Sequence, residues 1–246
     1  MILYYSSTGN SKHIADRLGN FLNSKPVDMC SIKEKTINVA HEDLYIVTFN
    51  CFWGLSEKVK SFIEQTEFKN IKKLLFILTC GGILGGADRQ VEEICAEKSL
   101  PKPTIYELRM VTNYSILHGI PNIDAQKRKL KKADIGLEKI MQGKKKAYHS
   151  PFIMKLLQPY IHRSYKAYQS TKPFYVLDSC ISCSQCEKNC PASAIKMVNG
   201  KPQWIKPQCD NCLKCLHLCP KEAINYGKTT VKRLRYFYKN PKNAME

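Results

Sequence analysis

The chain has 246 residues, of which 43% are hydrophobic and 24% charged, and its formal net charge is +18. This length suits one full domain and a small second one, and the hydrophobic fraction argues against a disordered chain. No N-terminal stretch resembles a signal peptide and the longest apolar run, 74–86, is too short to span a bilayer, so we expect a cytoplasmic protein with no integral membrane segment.

The first half of the chain alternates short apolar runs with amphipathic stretches. Near-continuous apolar runs are typical of strands that are buried on both faces of a parallel sheet. The pattern therefore predicts an α/β fold, a doubly wound five-stranded sheet, in a first domain of residues 1–142. We predict strands at 2–6, 27–32, 44–50, 73–79 and 104–111, and helices at 11–23, 57–65, 87–97 and 124–142.

Three polar or glycine-rich loops follow predicted strands. The first leads directly into a helix and predicts an anion site at the helix N-terminus, although its hydroxyls could instead only cap that helix. All three loops lie at the carboxyl ends of strands, where open α/β sheets bind ligands. Their residues are Ser6, Ser7, Thr8, Gly9, Asn10 and Ser11; then Asn50, Cys51, Phe52, Trp53 and Gly54; then Cys80, Gly81, Gly82, Ile83, Leu84, Gly85 and Gly86.

Residues 143–172 read as a basic helical connector. The run 144–146 is three lysines, and apolar residues then recur at helical spacing from Phe152 to Tyr168. Pro159 removes a backbone donor inside this pattern, so we expect it to kink or split the helix.

Eight of the twelve cysteines form two copies of one spacing, C-x2-C-x2-C-x3-C-P. This is the ligand run of bacterial ferredoxins that hold two [4Fe–4S] clusters. Structural zinc and disulfides are the alternatives, but zinc knuckles seldom place a third cysteine two residues further on. The fourth cysteine of each run reaches the other cluster, so the predicted ligand sets are interleaved: Cys180, Cys183, Cys186 and Cys219 for one cluster, and Cys209, Cys212, Cys215 and Cys190 for the other. We assign 173–227 to this ferredoxin-like domain and 228–246 to a basic, aromatic C-terminal tail.

Together, the three loops and the cysteine repeat resemble the flavodoxin–ferredoxin fusion family. The resemblance implies a flavodoxin-like domain that binds FMN, followed by a small α+β 2[4Fe–4S] ferredoxin-like domain. It also implies that residues 6–11 hold the FMN phosphate, that Trp53 stacks on the flavin ring, and that the Gly54 carbonyl meets the ring. Trp53 could instead be a loop anchor, and the glycines of 81–86 could simply form a tight turn. The chain departs from the family at 55–56, where Leu and Ser stand in place of acidic residues, and the third loop is followed by no acid before Asp88.

The predicted function is intracellular electron transfer as an iron–sulfur flavoprotein. The alternative is a flavin-dependent reductase that acts on a small molecule. With two clusters and a flavin phosphate the net charge falls only to about +12, so we expect redox partner proteins with acidic surfaces. Binding to nucleic acid or to a membrane surface rests on charge alone at this stage and is not favoured.

Overall fold

The computed structural model describes residues 1–238. Its first eight strands are β1 (Ile2–Tyr4), β2 (Val27–Asp28), β3 (Thr36–Asn38), β4 (Asp43–Cys51), β5 (Gly54–Leu55), β6 (Glu67–Lys69), β7 (Lys73–Cys80) and β8 (Thr104–Arg109). Five of them form a parallel sheet in the order β2-β1-β4-β7-β8, and β5 folds back antiparallel on β4. Strands β3 and β6 make a separate parallel pair. The predicted parallel α/β sheet is confirmed.

Helices cover both faces of this sheet. They are α1 (Asn10–Leu22), α2 (Glu57–Gln65), α3 (Ala87–Glu97) and α4 (Ile123–Met141). One core joins α1 and α4 through Ile14 and Leu137, and the other joins α2 and α3 through Val59 and Val91. Adjacent strand residues such as Phe76 and Ile77 enter opposite cores. Burial on both faces explains why the strand sequences are almost continuously apolar.

The second strand is much shorter than the predicted 27–32. It ends at Asp28, and a 3-10 turn follows at Met29–Ser31. The Asp28 carboxylate accepts the backbone N–H of Cys30 at 2.9 Å, a local bond that turns the chain out of the sheet.

The connector contains one unbroken helix, α5 (Phe152–Tyr168). Of the two outcomes expected at Pro159, a kink or a split, the split is therefore wrong. Proline leaves the carbonyl of Lys155, four residues earlier, without its helical donor. The Arg89 guanidinium donates to that carbonyl at 3.0 Å, which replaces the missing bond. Helix α5 packs on α3 and passes directly over Gly86, where a Cβ would lie 2.4 Å from the carbonyl oxygen of Met154.

The cysteine-rich part is a small α+β unit. Its elements are β9 (Phe174–Val176), α6 (Gln185–Lys188), β10 (Ile195–Val198), β11 (Lys201–Trp204), α7 (Lys214–Leu218) and β12 (Ile224–Tyr226). Strand β9 pairs with β12 and β10 with β11, both antiparallel. Phe174, Ile195 and Leu216 belong to its hydrophobic core, which Ile116 of the first half also enters.

The C-terminal tail packs back onto the first loop of the chain. Tyr236 is buried and donates its hydroxyl to the Asn10 amide oxygen at 2.6 Å. The Tyr238 ring stacks on His13 with a centroid separation of 4.2 Å. The predicted tail 228–246 is thus described as far as Tyr238, and its remaining residues 239–246 lie outside the described part of the chain. Within 1–238, none of the helices is long and apolar enough to cross a bilayer.

Candidate cofactor sites

A cavity of about 540 Å³ lies at the carboxyl edge of the parallel sheet. The second and third predicted loops supply most of one wall: Asn50, Cys51, Phe52, Trp53, Cys80, Gly81, Gly82 and Ile83. The two loops line the same cavity, which is consistent with the sequence prediction that they share one site.

A smaller polar cavity of about 80 Å³ adjoins the large one and shares Asn50 and Cys80 with it. The first predicted loop lines it through Ser6, Ser7, Thr8, Asn10 and Ser11. Helix α1 begins at this cavity, and its N-cap residue Gly9 provides no side-chain cap. The first-turn N–H groups of an uncapped helix are well suited to an anion.

Four side chains of the first loop are already engaged within the protein. The Ser6 oxygen accepts from the Gly9 N–H at 3.1 Å and the Ser7 oxygen from the Asn113 amide at 2.7 Å, and the other two are Asn10 and Ser11. Asn10 donates to the Val111 carbonyl at 2.9 Å and accepts from Tyr236, while the Ser11 and Thr79 hydroxyls lie 3.0 Å apart. Their direct role is therefore to hold the loop in shape. The Ser6 O–H can still donate although its oxygen accepts from Gly9, so Ser6 and Thr8 remain the best candidates of this loop for a ligand.

Five predicted site residues lie behind the cavity walls. Gly9 is covered by Tyr238, and Gly54 backs onto Gln90 and His162. Leu84 is fully buried in the core, and Gly86 contacts α5. Gly85 has φ +60°, and a Cβ there would lie 2.0 Å from the Trp53 ring. The ring of Trp53 thus rests on Gly85, as expected for a loop anchor, while Trp53 also lines the cavity.

The turn between β4 and β5 holds two aromatic residues in an unusual backbone conformation. Phe52 and Trp53 have φ of 46° and 61°, the left-handed region that hairpin turns of two residues usually give to Asn and Gly. The Phe52 ring contacts Tyr114, Tyr165 and Tyr168 at centroid distances of 5.2–5.6 Å. Strain of this kind persists only when surrounding contacts enforce it. The turn consequently holds the Phe52 and Trp53 rings in fixed positions at the cavity.

The eight repeated cysteines fall into two groups around two small cavities. Cys180, Cys183, Cys186 and Cys219 line one, and Cys190, Cys209, Cys212 and Cys215 line the other. The two sets have the interleaved composition that the spacing predicts. Within 1–238, another group of potential metal-binding side chains, Asp88, Glu92 and His149, also brings its ligand atoms close to one another. That group is bridged by Lys155, whose ammonium lies 3.2 Å from Asp88 and 3.0 Å from Glu92, so a cation already occupies it.

The backbone around the cysteines repeats with an offset of 29 residues. Ser182 and Asn211 both have positive φ, as do Ser184 and Leu213. The backbone N–H of Ala194 donates to the Cys190 sulfur at 3.3 Å, and that of Ala223 donates to Cys219 at the same distance. N–H donors to cysteine sulfur are a means of tuning an iron–sulfur cluster.

Burial makes these thiols weak acids. It raises the pKa of Cys186 and of Cys209 to about 11, and that of Cys215 well above its usual range. Thiolates are the metal ligands, so metal binding here must release protons.

The second cysteine loop forms the junction with the first domain. Asn211 and Cys212 line the 540 Å³ cavity as well as the second cysteine cavity. The buried Asp210 carboxylate accepts from the Tyr5 hydroxyl at 2.8 Å and from the Lys58 N–H at 3.2 Å. Burial raises the pKa of Asp210, and these hydrogen bonds oppose that shift.

A family model described as "4Fe-4S dicluster domain" matches residues 179–224. This match spans the cysteine repeat. The C-terminal region is therefore a ferredoxin-type region that binds a 4Fe–4S cluster, and it supports iron–sulfur electron transfer. No curated protein matches the chain.

Sequence reasoning missed part of the large cavity. The segment after β8 contributes Thr112, Asn113 and Tyr114, and α5 contributes Ile161. In open α/β sheets, ligands bind at loops that follow the carboxyl ends of the strands. We applied this rule to the first, third and fourth predicted strands, and it also applies to residues 112–114, which follow the fifth.

The third loop does contact an acidic residue, which lies on β8 and not in the adjacent sequence. Glu107 accepts from the Leu84 N–H at 3.2 Å, and Arg109 pairs with it at 3.3 Å. Lys129 of α4 donates to the Gly81 carbonyl at 3.0 Å, so a lysine of this helix also reaches the third loop. Local sequence contains no signal for such contacts.

Proposed function

We propose that this protein is a cytoplasmic iron–sulfur flavoprotein that passes electrons between FMN and two [4Fe–4S] clusters. The observation that carries the proposal is the double position of Cys212, which lines both the second cysteine cavity and the 540 Å³ cavity. A cluster bound there and a flavin bound in the large cavity would share a wall, and short separation favours electron transfer.

FMN fits the paired cavities in size and polarity. The small polar cavity, with the uncapped α1 N-terminus, suits the single phosphate of FMN, and the larger aromatic cavity suits the ring. The strand order β2-β1-β4-β7-β8 corresponds to the 2-1-3-4-5 order of flavodoxin-like folds, whose switch point binds FMN. These features support residues 1–142 as a flavodoxin-like domain.

Bound FMN would supply one- and two-electron redox chemistry, and the protein residues would position it. Ser6 and Thr8 would bind the phosphate together with the α1 N–H groups. Phe52 and Trp53, fixed by their turn, would define the plane of the ring. Asn113, whose amide donates to Ser7 at 2.7 Å, would keep the fifth-strand loop against the phosphate loop.

The interleaved cysteine sets are the proposed ligands of the two clusters. Each cluster would take three cysteines from one loop and the fourth from the other. The second cluster, beside the large cavity, would exchange electrons with the flavin, and the first, whose Cys183 is exposed, would exchange them with a partner.

We also propose acidic redox partner proteins. The chain remains basic with its cofactors counted, and Lys144 and Lys146 are exposed. Electron transfer from an acidic ferredoxin should slow steeply between low and physiological salt, and Lys144→Glu with Lys145→Glu and Lys146→Glu should flatten that dependence. A rate that responds to neither salt nor charge reversal would exclude steering by this segment.

Cofactor analysis of anaerobically purified protein tests the central proposal. We expect about eight irons and eight acid-labile sulfides per chain, and one FMN but no FAD. Ser6→Ala with Thr8→Ala should weaken FMN binding by about 1.5–3 kcal/mol for each bond lost to the phosphate, with iron unchanged. Thr36→Ala, which removes an exposed hydroxyl on β3, is the control. Iron without any flavin, or equal uptake of FAD, would contradict the FMN proposal and leave the cluster proposal standing.

A further inference from the structure

Helix α5 exposes most of the apolar side chains of its first three turns and turns Lys155, Gln158 and His162 toward the protein. Phe152 is 83% exposed, Tyr160 74% and Leu156 51%. The exposed stripe, called here the α5 apolar face, consists of Phe152, Ile153, Leu156, Leu157, Tyr160 and Ile161. Their spacing of about four residues places them along one side of the helix. This distribution is the reverse of that on an ordinary surface helix.

The opposite side of α5 is fixed to the protein by polar contacts. Lys155 bridges Asp88 and Glu92, the buried Gln158 lies over Gly86, and the His162 ring nitrogen lies 3.1 Å from the Cys51 carbonyl. These bonds prevent the helix from rolling its apolar side inward. The α5 apolar face is thus held toward the outside, and a contiguous exposed patch of this kind marks an interaction site.

The charged residues of the chain segment that contains this helix have one sign. Residues 139–177 contain eight lysines and arginines and no aspartate or glutamate. Arg163 and Lys166 are exposed in the last turns of α5, just beyond the apolar stripe. A self-association through this face would bring the two basic segments together, and like charges oppose that.

We propose that the α5 apolar face binds the surface of a membrane that contains anionic lipid. An amphipathic helix of this composition lies in the plane of the interface, with Phe, Leu and Ile among the acyl chains and Arg and Lys at the phosphates. The proposal is independent of FMN. Ile161 also lines the large cavity, so the bound membrane would border the cavity mouth.

Vesicle sedimentation with the anaerobically prepared holoprotein tests this inference. We expect binding to vesicles of phosphatidylglycerol and phosphatidylcholine, and about tenfold weaker binding to phosphatidylcholine alone. Leu156→Gln with Leu157→Gln should reduce binding to the anionic vesicles by about tenfold or more. Both side chains are exposed, so the visible cluster absorption should not change. Phe21→Gln, which alters a 57% exposed side chain on α1, is the matched control and should bind as the parent does.

A second pair of changes tests the charge. Arg163→Gln with Lys166→Gln should weaken binding to anionic vesicles and leave the residual binding to phosphatidylcholine unchanged. The proposal is overturned if anionic vesicles do not bind the parent protein at about 50 mM salt, or if the leucine variant binds as well as the Phe21 variant. It is also overturned if light scattering shows a dimer that the leucine changes dissolve, because the face would then be covered by a second copy.

Discussion

Several residues border both candidate cofactor sites. Cys212 borders two cavities, and its neighbour Asn211 lines the same two and donates to the Tyr168 carbonyl of α5. Asp210, one position earlier, binds Tyr5 of the first strand region. Three consecutive residues of one cysteine loop therefore position that loop against the parallel sheet, and a change in any of them would affect the sheet and the cysteine-rich unit together.

Cys190 provides the clearest test of interleaved ligation. Cys190→Ala should reduce the iron content from about eight to about four per chain, because it removes one ligand of a single cluster. Adding Cys209→Ala to it should cause little further loss, whereas adding Cys180→Ala should remove nearly all the iron. Anaerobic iron and sulfide analysis measures both doubles. The opposite pattern would show that each run holds its own cluster. Cys30→Ala, which changes an exposed cysteine outside the repeat, is the control and should lose no iron.

The contrast between the cysteines and the acids shows which residues a sequence can reveal. Ligand spacing is local, so the grouping around Cys186 and Cys215 could be predicted directly. Glu107 and Lys129 reach the third loop from β8 and α4, and neither lies near that loop in sequence. Cys30 illustrates the same limit, because it lies in the predicted strand 27–32, whereas the strand ends at Asp28 and Cys30 is exposed.

At the scale of elements, α5 holds the β4–β5 turn in place. The protonated Nδ1 of His162 donates to the Cys51 carbonyl, next to the strained Phe52 and Trp53. The length of α5 was predictable from helical spacing, but its orientation was not. Its apolar residues suggested a buried side, whereas polar pairing with α3 and the Arg89 contact at the Pro159 gap determine the side that faces the protein.

His162 should make the stability of this contact depend on pH. Burial lowers the pKa of His162 below its value in the unfolded chain, about 6.5. The unfolded chain therefore takes up a proton first as the pH falls, and the free energy of unfolding decreases as pH drops from 7 through that value. His162→Asn keeps a donor near the Cys51 carbonyl but does not titrate. We expect it to cost about 1 kcal/mol at pH 7 and to lose less stability than the parent between pH 7 and 5.5.

Anaerobic chemical denaturation at both pH values measures this difference. Acid damage to the clusters affects parent and variant alike, so the comparison between them isolates the histidine. If the free energy of unfolding falls equally in the parent and the variant between pH 7 and 5.5, the pKa of His162 is not lowered in the folded protein.

At the scale of the whole molecule, the described part of the C-terminal tail packs against the first loop, which lines the small polar cavity. Tyr238 donates its backbone N–H to the Thr8 carbonyl at 2.8 Å, and Tyr236 binds Asn10 and, through its own N–H, the His217 ring at 3.2 Å. The succession of a parallel sheet and a cysteine-rich unit was predictable, because each has its own local pattern. The packing of the tail on the first loop was not predictable, because the sequence of a basic, aromatic segment does not indicate which surface it contacts.

Tyr236 should therefore control both the join between the two units and the shape of the first loop. Its side chain is 2% exposed and packs with Val111 and Ile120. Tyr236→Ala should cost about 3–5 kcal/mol and release FMN, because Asn10 loses the hydroxyl that holds it. Tyr236→Phe keeps the packing and should cost only about 1 kcal/mol, with flavin affinity reduced and iron content unchanged.

Leu234→Ala, at a 57% exposed position in the same tail, is the control for sequence change alone. Thermal midpoints and flavin retention on gel filtration distinguish the three variants. If Tyr236→Ala keeps its flavin and its midpoint as Leu234→Ala does, the tail does not support the first loop, and other contacts, such as those of Asp210 and Ile116, hold the two units together.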